Sequence, residues 1–171
     1  MEIPQVWSKI DIEIPKAVIA LGFPEIEKYY DQIFGAVSDI EALNWPISND
    51  VILPFLIQAR EKIVPELKRR FALAFAKKDI DALYCYISRI LYYWDRDLVI
   101  QFRDELYETI RLGPVDSEEH DSEALFLLRA HAIPLPQDIL LRADDIASNH
   151  PAVAQRYSAR QDDSPPITKT E

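Results

Sequence analysis

Between Asn44 and Gly113 apolar residues recur at spacings of three and four, interrupted only by short polar joints. That period suits the 3.6 residues of a helical turn and conflicts with the strict alternation of a half-buried strand. Glycine points the same way. The chain has only 3 glycines in 171 residues, whereas sheet proteins rely on glycine at their hairpin turns. Prolines are numerous but fall mostly at joints, including Pro46, Pro114, Pro134, Pro136 and Pro151, where they punctuate helices. The fold class expected is all-α: antiparallel helical pairs stacked as a short HEAT-like solenoid, or an irregular helical bundle.

The segments follow in order. An arm over residues 1–22 mixes apolar residues with Pro4 and Pro15. An amphipathic helix runs from Pro24 to Val37 through Tyr30, Ile33 and Phe34. After Trp45-Pro46, Ser48 or Asn49 can cap a helix that turns Val51, Ile52, Phe55 and Leu56 inward, with a kink expected at Pro54. Ile63–Ala76 places Leu67, Phe71, Ala74 and Phe75 on one side, and its Lys68-Arg69-Arg70 run reads as a solvated face. Asp79 can cap a helix over Ile80–Trp94. At 100° per residue Leu83, Ile87, Ile90 and Trp94 form a narrow inward stripe, with Cys85, Arg89, Tyr92 and Arg96 opposite.

Asp97–Leu112 buries Leu98, Phe102, Leu106 and Ile110 and stops at Gly113-Pro114. Val115–Asp121 reads as an acidic loop and Glu123–Ala132 as a helix. Gln137–Ser148 turns Ile139, Leu140, Ala143 and Ile146 inward, and a short helix spans Pro151–Arg160. Residues 23–160 are thus expected as one helical domain, and 161–171, with Asp-Asp-Ser-Pro-Pro, as a disordered tail. A chain of this length can bury roughly 70% of its unfolded surface, so no metal or disulfide is needed to hold a core.

The order of four motifs resembles a known family. Asn44-Trp45-Pro46-Ile47 precedes an apolar helix, and Ile63-Val64-Pro65-Glu66-Leu67-Lys68 begins the next. Lys78-Asp79-Ile80-Asp81-Ala82-Leu83-Tyr84 opens a third, and Gly113-Pro114-Val115-Asp116-Ser117-Glu118-Glu119 leads into a fourth through Ala124. This order resembles the bacterial domain-of-unknown-function family 5071, over roughly Pro24 to Ala132. The chain departs from that pattern before Asn44, where Ile40-Glu41-Ala42-Leu43 replaces the usual aromatic and acidic residues. The resemblance implies a HEAT-like helical fold and brings no reaction or catalytic residue with it.

Composition excludes several classes of function. The net charge of −10 is spread unevenly: −6 over Met1–Ala59, +2 over Arg60–Leu112 and −6 over Gly113–Glu171. Such a field repels phosphate backbones, so nucleic acid is not the expected partner. Its plain consequence is solubility; its sharper one is steering of a basic protein partner. One cysteine, Cys85, allows no internal disulfide and no cysteine zinc site. A small packing residue is the ordinary role of such a cysteine, against a thiol activated by Arg89 one turn away. The first residues lack a basic segment followed by an apolar core, and no apolar run approaches the roughly 20 residues that cross a bilayer. A cytoplasmic protein without a membrane span is expected.

Chemistry is hard to find. His120, His131 and His150 lie on separate segments, none at a ligand spacing such as His-Glu-x-x-His. No glycine-rich phosphate loop exists. The expected function is therefore non-catalytic and without cofactor or metal: a protein-binding protein, in its most concrete form an immunity protein that neutralises a basic toxin. Candidate partner-binding residues are Arg89, Tyr92 and Arg96 on the face opposite the stripe, with Glu118, Glu119 and Asp121 in the acidic segment. The alternative is a small helical enzyme, such as a metal-dependent hydrolase, using Glu118, Glu119, His120 and Asp121.

Overall fold

The computed structural model describes residues 31, 34, 35, 37, 60–113 and 119–163, with the backbone alone for 159–163. Of these, 87% are helical and none lies in a strand. The all-α expectation holds. The arm at 1–22, the helix expected after Ser48, the 114–118 part of the acidic segment and the tail beyond Asp163 lie outside the described residues. The chain divides into two compact units, Met1–Val99 and Ile100–Glu171.

In the first unit α1 spans Arg60–Lys77 and buries Ile63, Leu67, Phe71 and Ala74, a seam of three- and four-residue steps. Phe75, also expected inward, is only half-buried. Helical Phe34 and Val37, both buried, belong to the same core, where Phe34 and Phe71 contact the Tyr86 ring at centroid distances of 6.2 and 5.4 Å. The basic run is not simply a solvated face. Glu66 accepts from Arg69 Nε at 2.8 Å and from Arg70 Nε at 2.7 Å. Arg70, its side chain 14% exposed, also bonds Asp31 and lies 5.4 Å from the centre of the Phe34 ring. A long side chain can cover an apolar ring and keep its charge paired, so this arginine ties α1 to helical Asp31.

α1 ends without glycine. Lys78 adopts φ +54°, its N–H donates to the Phe75 carbonyl at 3.1 Å, and Asp79 N–H reaches Ala74 at 2.9 Å. These paired bonds form a Schellman ending with a non-glycine residue in the left-handed position. Asp79 then caps α2 (Ile80–Cys85), accepting from Ala82 N–H at 3.1 Å as its place in the sequence suggests.

The helix expected to run unbroken to Trp94 changes gauge instead. A π turn occupies Tyr86–Ile90 and a 3₁₀ turn Leu91–Tyr93. Leu91 N–H reaches the Tyr86 carbonyl five residues back as well as that of Ile87. The Ser88 hydroxyl donates to the Tyr84 carbonyl at 2.8 Å, a competing bond of the kind that bends helices. Leu83, Ile87, Ile90 and Trp94 are all buried, as the stripe requires. The change of gauge shifts the flanks: Tyr93, not Tyr92, is the exposed aromatic, at 48%. Cys85, placed opposite the stripe by a uniform 100° step, is buried and acts as packing. The helix expected over Asp97–Leu112 is likewise divided, starting as α3 (Arg96–Val99).

In the second unit a 3₁₀ turn, Ile100–Phe102, leads into α4 (Arg103–Leu112), followed by α5 (His120–Ala130), α6 (Gln137–Asn149) and α7 (Pro151–Asp163). α5 packs against α4, α6 and α7. Surrounded in this way, it buries every residue from His120 to Leu128. α4 stops at Gly113, φ +82°, as expected, and Arg111 joins its end to α6 through Asp138 at 2.7 Å. α5 ends like α1, with Ala132 at φ +51° and Ile133 N–H reaching the Leu128 carbonyl at 2.9 Å. On α6 the buried seam is Ile139, Ala143 and Ile146; Leu140, expected inward, is 47% exposed because it stands one 100° step off that seam. α7 continues helically to Asp163, so the first three residues of the expected tail are helix.

Candidate functional site

Helix α5 begins three residues before the expected Glu123, and this moves its acidic residues from a surface loop into the interior. His120, Asp121, Ser122 and Glu123 are all buried, forming a polar first turn inside an otherwise apolar unit. Carboxylates there face the positive end of the helix dipole, which favours them. The Ser122 hydroxyl donates to the Glu119 carbonyl at 2.7 Å, and Asp121 Oδ1 accepts from Ser122 N–H at 2.8 Å. Glu123, with no exposed surface on its side chain, accepts from the Tyr157 hydroxyl at 2.6 Å and ion-pairs with Arg156 of α7. A carboxylate can be held in such a place only with donors of this kind.

Next to it stands His150, the residue that ends α6. Its Nδ1 lies 3.9 Å from Glu119 Oε1 and its Nε2 3.9 Å from Asp121 Oδ1. Arg142 Nη2 approaches Asp121 Oδ2 at 4.0 Å, while its Nη1 donates to the Ile110 carbonyl at the end of α4. A cavity of about 340 Å³ opens here, lined by Asp121, Arg142, Asp145, Ile146, Ser148, Asn149 and His150. An imidazole between two carboxylates, beside a cavity, is an arrangement able to move a proton or hold a charged ligand.

The structure thus divides the candidate residues. Glu119 is half-buried and Asp121 almost wholly so, and both converge on His150. Asp121 is therefore corrected from a surface partner contact to a group 2% exposed, because α4, α6 and α7 pack against α5. Glu118 lies outside the described residues. His120 is buried and His131 half-buried. Among the described residues no group of three or more His, Cys, Asp and Glu is arranged to hold a metal ion.

Arg89, Tyr92 and Arg96 belong to the first unit. Arg89 and Tyr92 are half-buried on the π and 3₁₀ turns, and Arg96 is exposed. Burial lowers the pKa of the Arg89 guanidinium from its ordinary value, against the opposing pull of Cys85, Tyr84 and Tyr93. Tyr93 packs edge-on against Tyr92 at 5.0 Å and offers the larger exposed face. Two functional candidates escaped the sequence. Tyr93 was hidden by the change of gauge, and the meeting of His150 with Asp121 joins residues 29 apart that no local spacing connects.

No protein-family model, curated protein or solved structure matches this chain. The resemblance drawn from motif order stands on those motifs alone.

Proposed function

We propose that this chain is a non-catalytic protein-binding protein of the cytoplasm, a HEAT-like helical scaffold that works as an immunity protein against a basic toxin. The observation that carries the reading is Tyr93: a tyrosine 48% exposed, braced by Tyr92, with exposed Arg96 three residues on. Tyrosine and arginine are enriched among the few residues that dominate binding energy, and a braced ring loses little freedom when a partner covers it. The −10 charge supports a basic partner through long-range steering.

The test is co-purification of the native chain followed by mass spectrometry, repeated with Tyr93→Ala. The reading expects a stoichiometric basic protein that the variant loses. Its association rate should fall as salt rises, because exposed charges are screened over about 8 Å at physiological ionic strength, with dissociation changing much less. A partner retained equally by the variant, or an association rate flat with salt, would refute the reading. A toxin reading frame beside this one would add support.

A second reading, a small helical hydrolase, is favoured by His150 standing between Glu119 and Asp121 at the mouth of a cavity. A hydrolytic activity abolished by His150→Ala in a folded variant would establish it, and a metabolic operon around the gene would support it.

A further inference from the structure

We propose that the cavity between the last turns of α5 and the first half of α7 is a binding site for a small monocarboxylate with a short apolar body. Arg129 pairs with its carboxylate, and the stacked rings of Phe126 and Tyr157 seat its body. This inference goes beyond the protein-binding reading and does not rest on it.

The walls explain why space opens here. α5 packs directly against α7. The cavity, of about 230 Å³, is lined by Phe126, Arg129 and Ala130 of α5 and by Ala154, Tyr157 and Ser158 of α7. Phe126 and Tyr157 stack across the two helices, their ring centres 6.4 Å apart and their planes at 27°. Beside the rings stand Ala130 and Ala154, whose methyl groups are too short to fill the space between the helices. Two aromatic rings and two methyl groups make a lining that favours an apolar body.

Charge selects what that body carries. Arg129 is exposed, and its guanidinium carbon lies 6.0 Å from the centre of the Phe126 ring. Among the described residues no carboxylate pairs with it, whereas Arg70, Arg111 and Arg156 each hold one. No acidic residue lines the cavity. Glu123, which accepts from the Tyr157 hydroxyl, is already balanced by Arg156. The Ser158 hydroxyl gives its proton to the Ala154 carbonyl at 2.9 Å, which leaves Arg129 as the donor that selects a charge. Its planar guanidinium matches a carboxylate through two parallel N–H bonds. A cation of the same shape would face Arg129, and a phosphate dianion would work against a chain of net charge −10.

Size limits the body. About 230 Å³ is below the roughly 300–1,000 Å³ of pockets for drug-sized ligands, so a single ring or a short alkyl chain fills it.

The experiment titrates the isotopically labelled full chain with sodium hydrocinnamate and with sodium hexanoate, followed by amide chemical shifts. Phenethylammonium chloride, with a similar body and opposite charge, and sodium acetate, with almost no body, are the controls. Saturable shifts centred on residues 126–130 and 154–158 are expected with hydrocinnamate or hexanoate, and none with the controls. Arg129→Met keeps a long side chain without its charge and should weaken binding about two- to fivefold, the scale of an exposed ion pair. Ala154→Leu should fill the cavity and abolish binding. Arg129 is exposed, so its variant decides the question even where Ala154→Leu fails to fold by circular dichroism. Tighter binding of hydrocinnamate assigns an aryl body and tighter binding of hexanoate an alkyl one; either supports the proposal. The proposal is overturned if neither saturates at these residues, if a control binds as well, or if Arg129→Met leaves affinity unchanged.

Discussion

Trp94→Ala, set beside Tyr93→Ala, tests the helix phase at one step of resolution. The two aromatic neighbours differ completely in environment: Trp94 has no exposed surface and Tyr93 is 48% exposed. A tryptophan side chain buries roughly 150–250 Å². At about 25 cal/mol per Å² that is roughly 4–6 kcal/mol, an upper bound because the unfolded chain already hides part of its apolar surface. Alanine keeps the Cβ, and large aromatic truncations in cores cost about 3–5 kcal/mol. The extended backbone at Trp94, φ −89° and ψ 156°, accepts alanine without strain, so the loss reports the side chain and not the backbone. For a chain of this size each kcal/mol lowers the melting temperature by about 2–4 °C, so Trp94→Ala should lose about 6–20 °C. Tyr93→Ala should stay within about 0.5 kcal/mol, as surface changes do. Thermal and urea unfolding followed by far-ultraviolet circular dichroism measure both. Equal losses in the two variants, or an unchanged Trp94→Ala, would refute the phase of the π and 3₁₀ turns.

Arg156→Ala should destabilise by about 3 kcal/mol, because among the described residues it leaves the buried Glu123 carboxylate only the Tyr157 hydroxyl; a urea midpoint shifted less by this variant than by Glu123→Gln would contradict that asymmetry. Ala132→Gly should stabilise by about 0.5–1 kcal/mol, since it relieves the left-handed conformation at φ +51° at the end of α5, and calorimetry would read any loss as evidence against the Schellman ending. Glu66 is held below its ordinary pKa of 4.5, first by its bond to Arg69 and then, against burial, by Arg70. A depressed folded-state pKa gives stability that is present above the ordinary value and lost as pH falls through the folded one. Urea midpoints should therefore decline below about pH 4.5 in the native chain, and Glu66→Gln should remove part of that decline.

Much of the fold was legible because helix formation is local. Apolar period, Pro134, Pro136 and Pro151 at the joints, Asp79 as a cap and Gly113 as a stop are properties of neighbouring residues, and each appears where the sequence places it. The stripe of Leu83, Ile87, Ile90 and Trp94 was legible for the same reason. What local periodicity could not show was a change in the period itself. The π turn moves exposure from Tyr92 to Tyr93, and with it the centre of the candidate binding face.

The second unit drew most on tertiary structure. Asp121 and Glu123 carry the composition of a solvated loop, and only packing of α4, α6 and α7 around α5 turns them into buried, paired charges. Charged residues in a sequence announce a preference for partners, either water or another charge, without saying which. Tyr157 lies 34 positions from Glu123 and Arg142 lies 32 from Ile110, so those partners exist only once the helices have docked. The sequence by itself determined helices, their ends and their apolar seams, through short-range sterics and hydrogen bonding. The cavity beside His150 was decided by the tertiary structure, because bringing distant side chains together depends on how whole helices pack.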